Sequence, residues 1–189
     1  MEVFVLATIT INPEDFPKVE PTVAINREVL GRVNGWKSTT VWQDAEHVQT
    51  LLIVTRYQDA ASADEGLRVM VTDDHYVAAV TRLNIPADVH RFVVQRKVGR
   101  TAEELPIGSW LSLSARLAEP GQSDSLLEEL TGIFDSLQAL PGILGTISGI
   151  DEAVSERIFG LAFWDSASAF DDSMPRHPMY EIKLYHRII

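Results

Sequence analysis

Ile158, Gly160, Ala162 and Trp164 stand at alternate positions, so in an extended segment their side chains share one face. Small side chains beside a large aromatic leave room for a flat apolar molecule and offer it a ring to stack on. Phe163 and Phe170 can add apolar wall. The ligand-binding residues expected from this pattern are therefore Trp164, Gly160, Ala162, Phe163 and Phe170, and the expected ligand is a hydrophobic or aromatic small molecule. Gly145 and Gly149 thin the neighbouring strand as well, although the same glycines would equally allow a helix or sheet to pack closely.

Other chemistries find little to stand on. Cysteine is absent, which excludes a thiol nucleophile, a disulfide framework and a thiolate metal site. His47, His90 and His186 share no metal-ligand spacing. Asp73-Asp74 and Asp171-Asp172 are adjacent carboxylates, and neighbours in a helix or turn point apart. No nucleophile elbow, phosphate loop or dinucleotide fingerprint is present. No metal and no cofactor are expected, and no catalytic residue is assigned.

The elements that must position Trp164 belong to a repeat. Shifted by the separation between Gly35 and Gly142, residues 1–67 lie on residues 108–174 without a gap. Leu6 then meets Leu113, Pro13 meets Pro120, Leu30 meets Leu137, Thr39 meets Thr146, Asp44 meets Asp151 and Asp64 meets Asp171. Each copy reads strand, helix, strand, strand, helix, strand. In the second, Trp110 to Ala118 is a strand, and Leu126, Leu130, Ile133 and Leu137 share one helical face. Pro141-Gly142 ends that helix. Ile143 to Ile150 and Arg157 to Trp164 form a hairpin, Ser166 caps a short helix, and Tyr180 to Ile189 closes the unit.

The copies span residues 1–100 and 107–189, joined by a polar connection. The stretch from Val69 to Ile85 is longer than its counterpart and reads as a surface excursion or extra helical turn. Leu51-Leu52-Ile53-Val54 and the run from Ile158 to Trp164 are apolar on both faces, so helices must cover one face and the duplicate sheet the other. At the positions matching Gly145, Gly149, Gly160 and Ala162 the first copy has Ser38, Trp42, Ile53 and Thr55, and Trp42 with Ile53 is expected to fill its hollow.

The 189 residues carry a net charge of −11, a poor match to nucleic acid or anionic membrane. At 46% hydrophobic and 23% charged residues, a folded core is expected. The first residues have an acid where a signal peptide has its basic region, and no apolar run approaches a membrane span. A soluble, cytoplasmic protein is the expectation. Arg91, Arg96, Lys97 and Arg100 read as a solvated strand edge.

Leu140-Pro141-Gly142-Ile143-Leu144-Gly145, followed by Leu161-Ala162-Phe163-Trp164-Asp165-Ser166 and a short helix, resembles the antibiotic biosynthesis monooxygenase family of the dimeric α/β-barrel superfamily. The first copy keeps a weaker form in Asn34-Gly35-Trp36 and Arg56-Tyr57-Gln58-Asp59. The resemblance implies an α+β fold of two tandem ferredoxin-like βαββαβ units whose antiparallel sheets pack into a barrel-like core. It implies closure within one chain, with the protein a monomer or a homodimer. Cofactor-free members use a strand Trp, an Asn four residues before it and a Tyr six residues after it. Those positions hold Trp164, Gly160 and Phe170 in the second copy and Tyr57, Ile53 and Ala63 in the first. The implied activity is a cofactor-independent monooxygenase. Alternatives are a non-catalytic ligand-binding or scaffold protein, and a haem-binding or haem-degrading protein with His75 or His177 as axial ligand.

Overall fold

The structure, a computed structural model, describes residues 1–83, 86–175 and 180–189. In the first unit, β1 (Val3–Thr10), α1 (Phe16–Leu30), β2 (Trp36–Asp44), β3 (Thr50–Tyr57), α2 (Ala60–Thr72), α3 (Asp74–Thr81) and β4 (Ala87–Gly99) follow in order. The second has β5 (Trp110–Leu117), α4 (Ser123–Leu137), β6 (Ile143–Asp151), β7 (Arg157–Trp164), α5 (Ala167–Ser173) and β8 (Lys183–Arg187). The strand register repeats with the sequence. Val3 faces Tyr57 as Trp110 faces Trp164, and the bulge at Trp36/Ser38 recurs at Ile143/Gly145.

The residues shared by the two copies serve the same local purpose in each. Asp44 Oδ1 accepts from the amides of Glu46 and His47, both at 2.8 Å, and so closes the β2–β3 turn. Asp151 Oδ1 does the same for Ala153 and Val154 at 2.7 and 3.1 Å. Gly35 and Gly142 sit at φ 92° and 86°, a left-handed turn that favours glycine. Ser166 caps α5 as expected, accepting from the Ala169 amide.

Eight antiparallel strands close into a barrel in the order β1-β3-β2-β8-β5-β7-β6-β4. This is an α+β fold of tandem ferredoxin-like units. The units join edge to edge at two seams, β4 with β6 and β2 with β8, so closure leaves few open ladders. The barrel interior holds Phe4, Trp42, Phe92, Phe159, Phe163 and Tyr185 among aliphatic side chains. The connection between units is more than polar: Ala102 and Leu105 enter that interior cluster, and Arg187 Nη1 donates to the Ala102 carbonyl at 2.8 Å. Across the first seam Arg96 pairs with Asp135 of the second unit, while Lys97 pairs with Glu2 of its own unit, so the basic residues of β4 engage carboxylates of both units.

Of the two readings of Gly145 and Gly149 the close-packing one holds, and the expectation for Trp42 is corrected. Gly149 abuts Phe92 and the Val93 carbonyl, and Gly145 abuts the Arg100 backbone. They let β4 approach β6 at the seam and do not widen a space beside Trp164. Trp42 lies in the barrel interior with its ring centroid 5.9 Å from that of Phe163, and does not fill the helix side of the first unit.

Candidate functional site

Each unit buries the outer face of its half-barrel under helices, and here the copies diverge. In the second unit the layer is one continuous cluster of Leu130, Phe134, Ile158, Ala162, Trp164 and Phe170. In the first it splits in two: Val3, Leu30, Val33, Tyr57 and Ala63 form one cluster, and Ile11, Val19, Val23, Val41 and Leu51 the other. A cavity of about 390 Å³ lies between sheet and helices there, bounded by both clusters. The helix positions explain it. Where the second unit has Leu130, Ile133, Phe134 and Phe170, the first has Val23, Asn26, Arg27 and Ala63. Arg27 turns its guanidinium to the Thr39 carbonyl, with Nε at 2.9 Å and Nη2 at 2.6 Å, and fills no ring-sized space.

The cavity wall is mostly aliphatic: Val5, Ala7 and Ile9 of β1, Ile53 of β3, Leu67, Met70 and Val71 of α2, and Val80 of α3. Were it dry and closed, a void of this size would cost on the order of 9 kcal/mol at ~24 cal/mol per Å³, as much as a whole domain's stability. It is open instead. Leu67 and Val71, which line it, are 57% and 63% exposed, and Val89 of β4 is 55% exposed. The inserted segment supplies α3, which brings Tyr76 and Val80 into the wall. The insertion is thus an extra helix, one of the two forms expected, and it borders the cavity. Asp73 caps this helix, accepting from the His75 and Tyr76 amides at 3.1 and 3.0 Å, and backbone amide donation with the Arg32 charge holds its carboxyl below the usual range.

Polar groups in the wall are few and mostly neutral. Thr39 and Thr55 hydroxyls lie 3.3 Å apart, and Trp36 Nε1 donates to Thr39 Oγ1 at 3.3 Å. Asn26 Nδ2 donates to Met70 Sδ at 3.3 Å, tying α1 to α2, while Asn26 Oδ1 is buried without a donor. Tyr57, 1% exposed, has its phenol pushed up to about 12 by burial and by the neighbouring Tyr76, against the pull of Arg91. Burial raises Tyr76 as well. Both phenols are therefore neutral hydrogen-bonding groups at physiological pH. Arg91 is committed elsewhere: Nη1 to Asp64 Oδ1 at 2.5 Å, Nη2 to the Ala60 carbonyl at 3.0 Å, and Glu152 on Nε. Gly66 makes room for Tyr57, since a Cβ there would fall 2.5 Å from its hydroxyl oxygen.

The residues expected to bind ligand occupy the corresponding place in the second unit. Trp164, Gly160, Ala162 and Phe170 are brought together, around a pocket of only about 70 Å³. Phe163 turns the opposite way into the barrel. Trp164 is buried, donates from Nε1 to Ser112 Oγ at 3.0 Å, and meets the Phe170 ring edge-on at 5.9 Å. Helix α4 presses on Gly160: a Cβ would lie 3.0 Å from Leu130 Cδ2 and from Phe134 Cζ. His75 is exposed on α3 and lines neither space, and His177 lies outside the described residues. Among the described residues no group of histidines and carboxylates is arranged to hold a metal ion.

Comparison of strands alone pointed to the wrong relative size, because the helices decide it. One signal in the sequence would have pointed to the first unit. Val19, Val23, Asn26 and Leu30 recur at helical spacing on the buried stripe of α1, and Asn26 is the polar residue among them.

No family model and no curated protein matches the sequence. Solved structures do match in fold. A candidate monooxygenase from Fusobacterium nucleatum aligns over 98% of this chain and 91% of its own, with 11% identity and a TM-score of 0.73. A candidate monooxygenase from Lactobacillus acidophilus aligns over 98% and 93%, with 12% identity and a TM-score of 0.71. An anthrone oxidase-like protein aligns over 100% and 92%, with 12% identity and a TM-score of 0.70. The chain thus has the monooxygenase-like α/β-barrel fold, completed by one tandem chain. At such identities the likeness concerns fold, and activity has to be argued from the site.

Proposed function

We propose that this protein binds one hydrophobic, aromatic small molecule in the cavity of the first unit, and that a monooxygenase-like oxidation of that molecule is the activity to test. The observation that carries the reading is the open cavity of about 390 Å³, within the range of small-molecule sites and walled mainly by aliphatic side chains. Burying a compact aromatic molecule there is compatible with micromolar affinity, about −8 kcal/mol. Among the described residues the cavity wall contains no carboxylate or imidazole. Any oxidation would therefore lean on the neutral donors Tyr57 and Tyr76 and on the ligand's own reactivity. Among the described residues no helix is long and apolar enough to cross a membrane.

A second reading keeps the ligand beside Trp164, with Gly160, Ala162 and Phe170 as its contacts. The aromatic face and the Ser112 and Ser114 hydroxyls favour it. A ring would fit only if α4 and the segment at Met174–Pro175 moved apart. Calorimetric titration with hydroxylated naphthalenes and anthracene ketones, with oxygen uptake followed in parallel, tests both. One site per chain that survives Gly160→Ala and is lost in Ala63→Phe supports the first-unit cavity. The opposite pattern supports the Trp164 pocket, and no binding in either overturns the proposal.

A further inference from the structure

Resting on the first-unit cavity as the binding site, we propose that Asn26 is its specificity-determining residue: its side-chain oxygen accepts a hydrogen bond from a neutral hydroxyl on the ligand, which Tyr76 contacts from the other side. On the sheet-facing side of α1, Val19, Val23 and Leu30 surround Asn26, Thr22 donates to the Lys18 carbonyl of its own helix, and Arg27 is taken up by the Thr39 carbonyl. A buried carbonyl oxygen left without a donor is costly, and native proteins keep such groups for a reason. The orientation of the amide follows from its neighbour. Met70 Sδ accepts and cannot donate, so it takes Nδ2 and leaves Oδ1 for another partner.

The remaining surroundings specify what that partner is. Tyr76 lies beside Asn26, its side chain in hydrogen-bonding range of the amide and its phenol kept neutral by burial, while Asn26 Oδ1 itself has no hydrogen-bond partner among the described residues. A hydroxyl between the two would donate to Asn26 and accept from Tyr76, satisfying both. A carboxylate or phosphate on the ligand would find no free cation among the described lining residues, since Arg91 is held by Asp64 and Glu152, and the chain's net charge of −11 opposes anions. An ammonium would find no carboxylate among the described lining residues. A neutral O–H on an apolar body is the chemistry left.

The test uses a matched pair of probes, 1-naphthol and 1-methoxynaphthalene, which share the ring system; the ether lacks the O–H donor and carries a methyl group in its place, so the change of preference between wild type and variant is what is read. Wild-type protein should bind the naphthol about tenfold more tightly than the ether, the worth of roughly one hydrogen bond to a buried neutral acceptor. Asn26→Ile, which installs the second unit's residue at that position, should remove the preference while binding the ether within about threefold of wild type. Asn26→Gln, which keeps an acceptor, should retain part of it. Circular dichroism and thermal melting of each variant separate a lost contact from a lost fold. Equal affinity of wild type for both probes, or an unchanged preference in Asn26→Ile, overturns the role of Asn26 while leaving the cavity reading intact. If neither probe binds, or if both bind unchanged to Ala63→Phe, the cavity reading itself fails and this inference with it.

Discussion

Replacing Ala63 by Phe should stabilise the protein and abolish ligand binding together. Ala63 is buried at the wall of the first-unit cavity, and the matching residue of the second unit is Phe170, which packs edge-on against Trp164 at 5.9 Å. Tyr57 stands where Trp164 stands, so the introduced ring has an aromatic neighbour and open volume to enter. Burial of a Phe side chain is worth about 1.5–3 kcal/mol, and overpacking a full core costs about 1–3 kcal/mol. With about 390 Å³ of space available the first effect wins, leaving a net gain of about 1–2 kcal/mol. For a chain of this length that is a rise in Tm of roughly 2–8 °C. The ring then occupies the ligand's place and should weaken binding of a naphthol-sized probe at least tenfold, ~1.4 kcal/mol. Scanning calorimetry with and without probe reads both effects in one series. A lower Tm, or a ligand-induced shift as large as in wild type, would refute the assignment of the cavity.

In the second unit, Gly160→Leu should be destabilising by about 1–3 kcal/mol rather than a silent block, because α4 already touches the glycine; a denaturant midpoint unchanged from wild type would show that α4 yields there. At high pH the buried phenols set the response. Tyr57 in the folded chain is pushed up to about 12 from an ordinary 10, so its contribution is complete below pH 10 and is lost as pH rises through 12. That loss amounts to roughly 2–3 kcal/mol, and Tyr185 shifts in the same direction. Stability should decline between pH 10 and 12, less steeply in Tyr57→Phe. An alkaline slope identical in the variant would mean that Tyr57 is not the group responsible.

The fold was legible in the sequence because its determinants are local and occur twice. Matching glycines and aspartates mark the same turns, the leucines of α4 mark one buried stripe, and strands apolar on both faces require cover on both sides. Arg157 to Trp164 is the β7 strand residue for residue. Strand parity correctly put Gly160, Ala162 and Trp164 on one face. What parity leaves open is which side of the barrel wall each strand turns to the helices, and the structure turns Trp42 and Phe163 to the interior and puts Gly145 and Gly149 at the seam.

By itself, then, the sequence determined the duplicated unit, its element order and its register, since those depend on periodicities within short stretches of chain. Tertiary structure decided where the space is. A cavity is the difference between the volume a sheet and its helices enclose and the volume their side chains fill, and that difference is set by residues far apart in the chain. Ile53 on β3 is larger than Gly160 on β7, yet the first unit is the open one because Asn26, Arg27 and Ala63 fill less than Ile133, Phe134 and Phe170, and because the inserted α3 extends the wall.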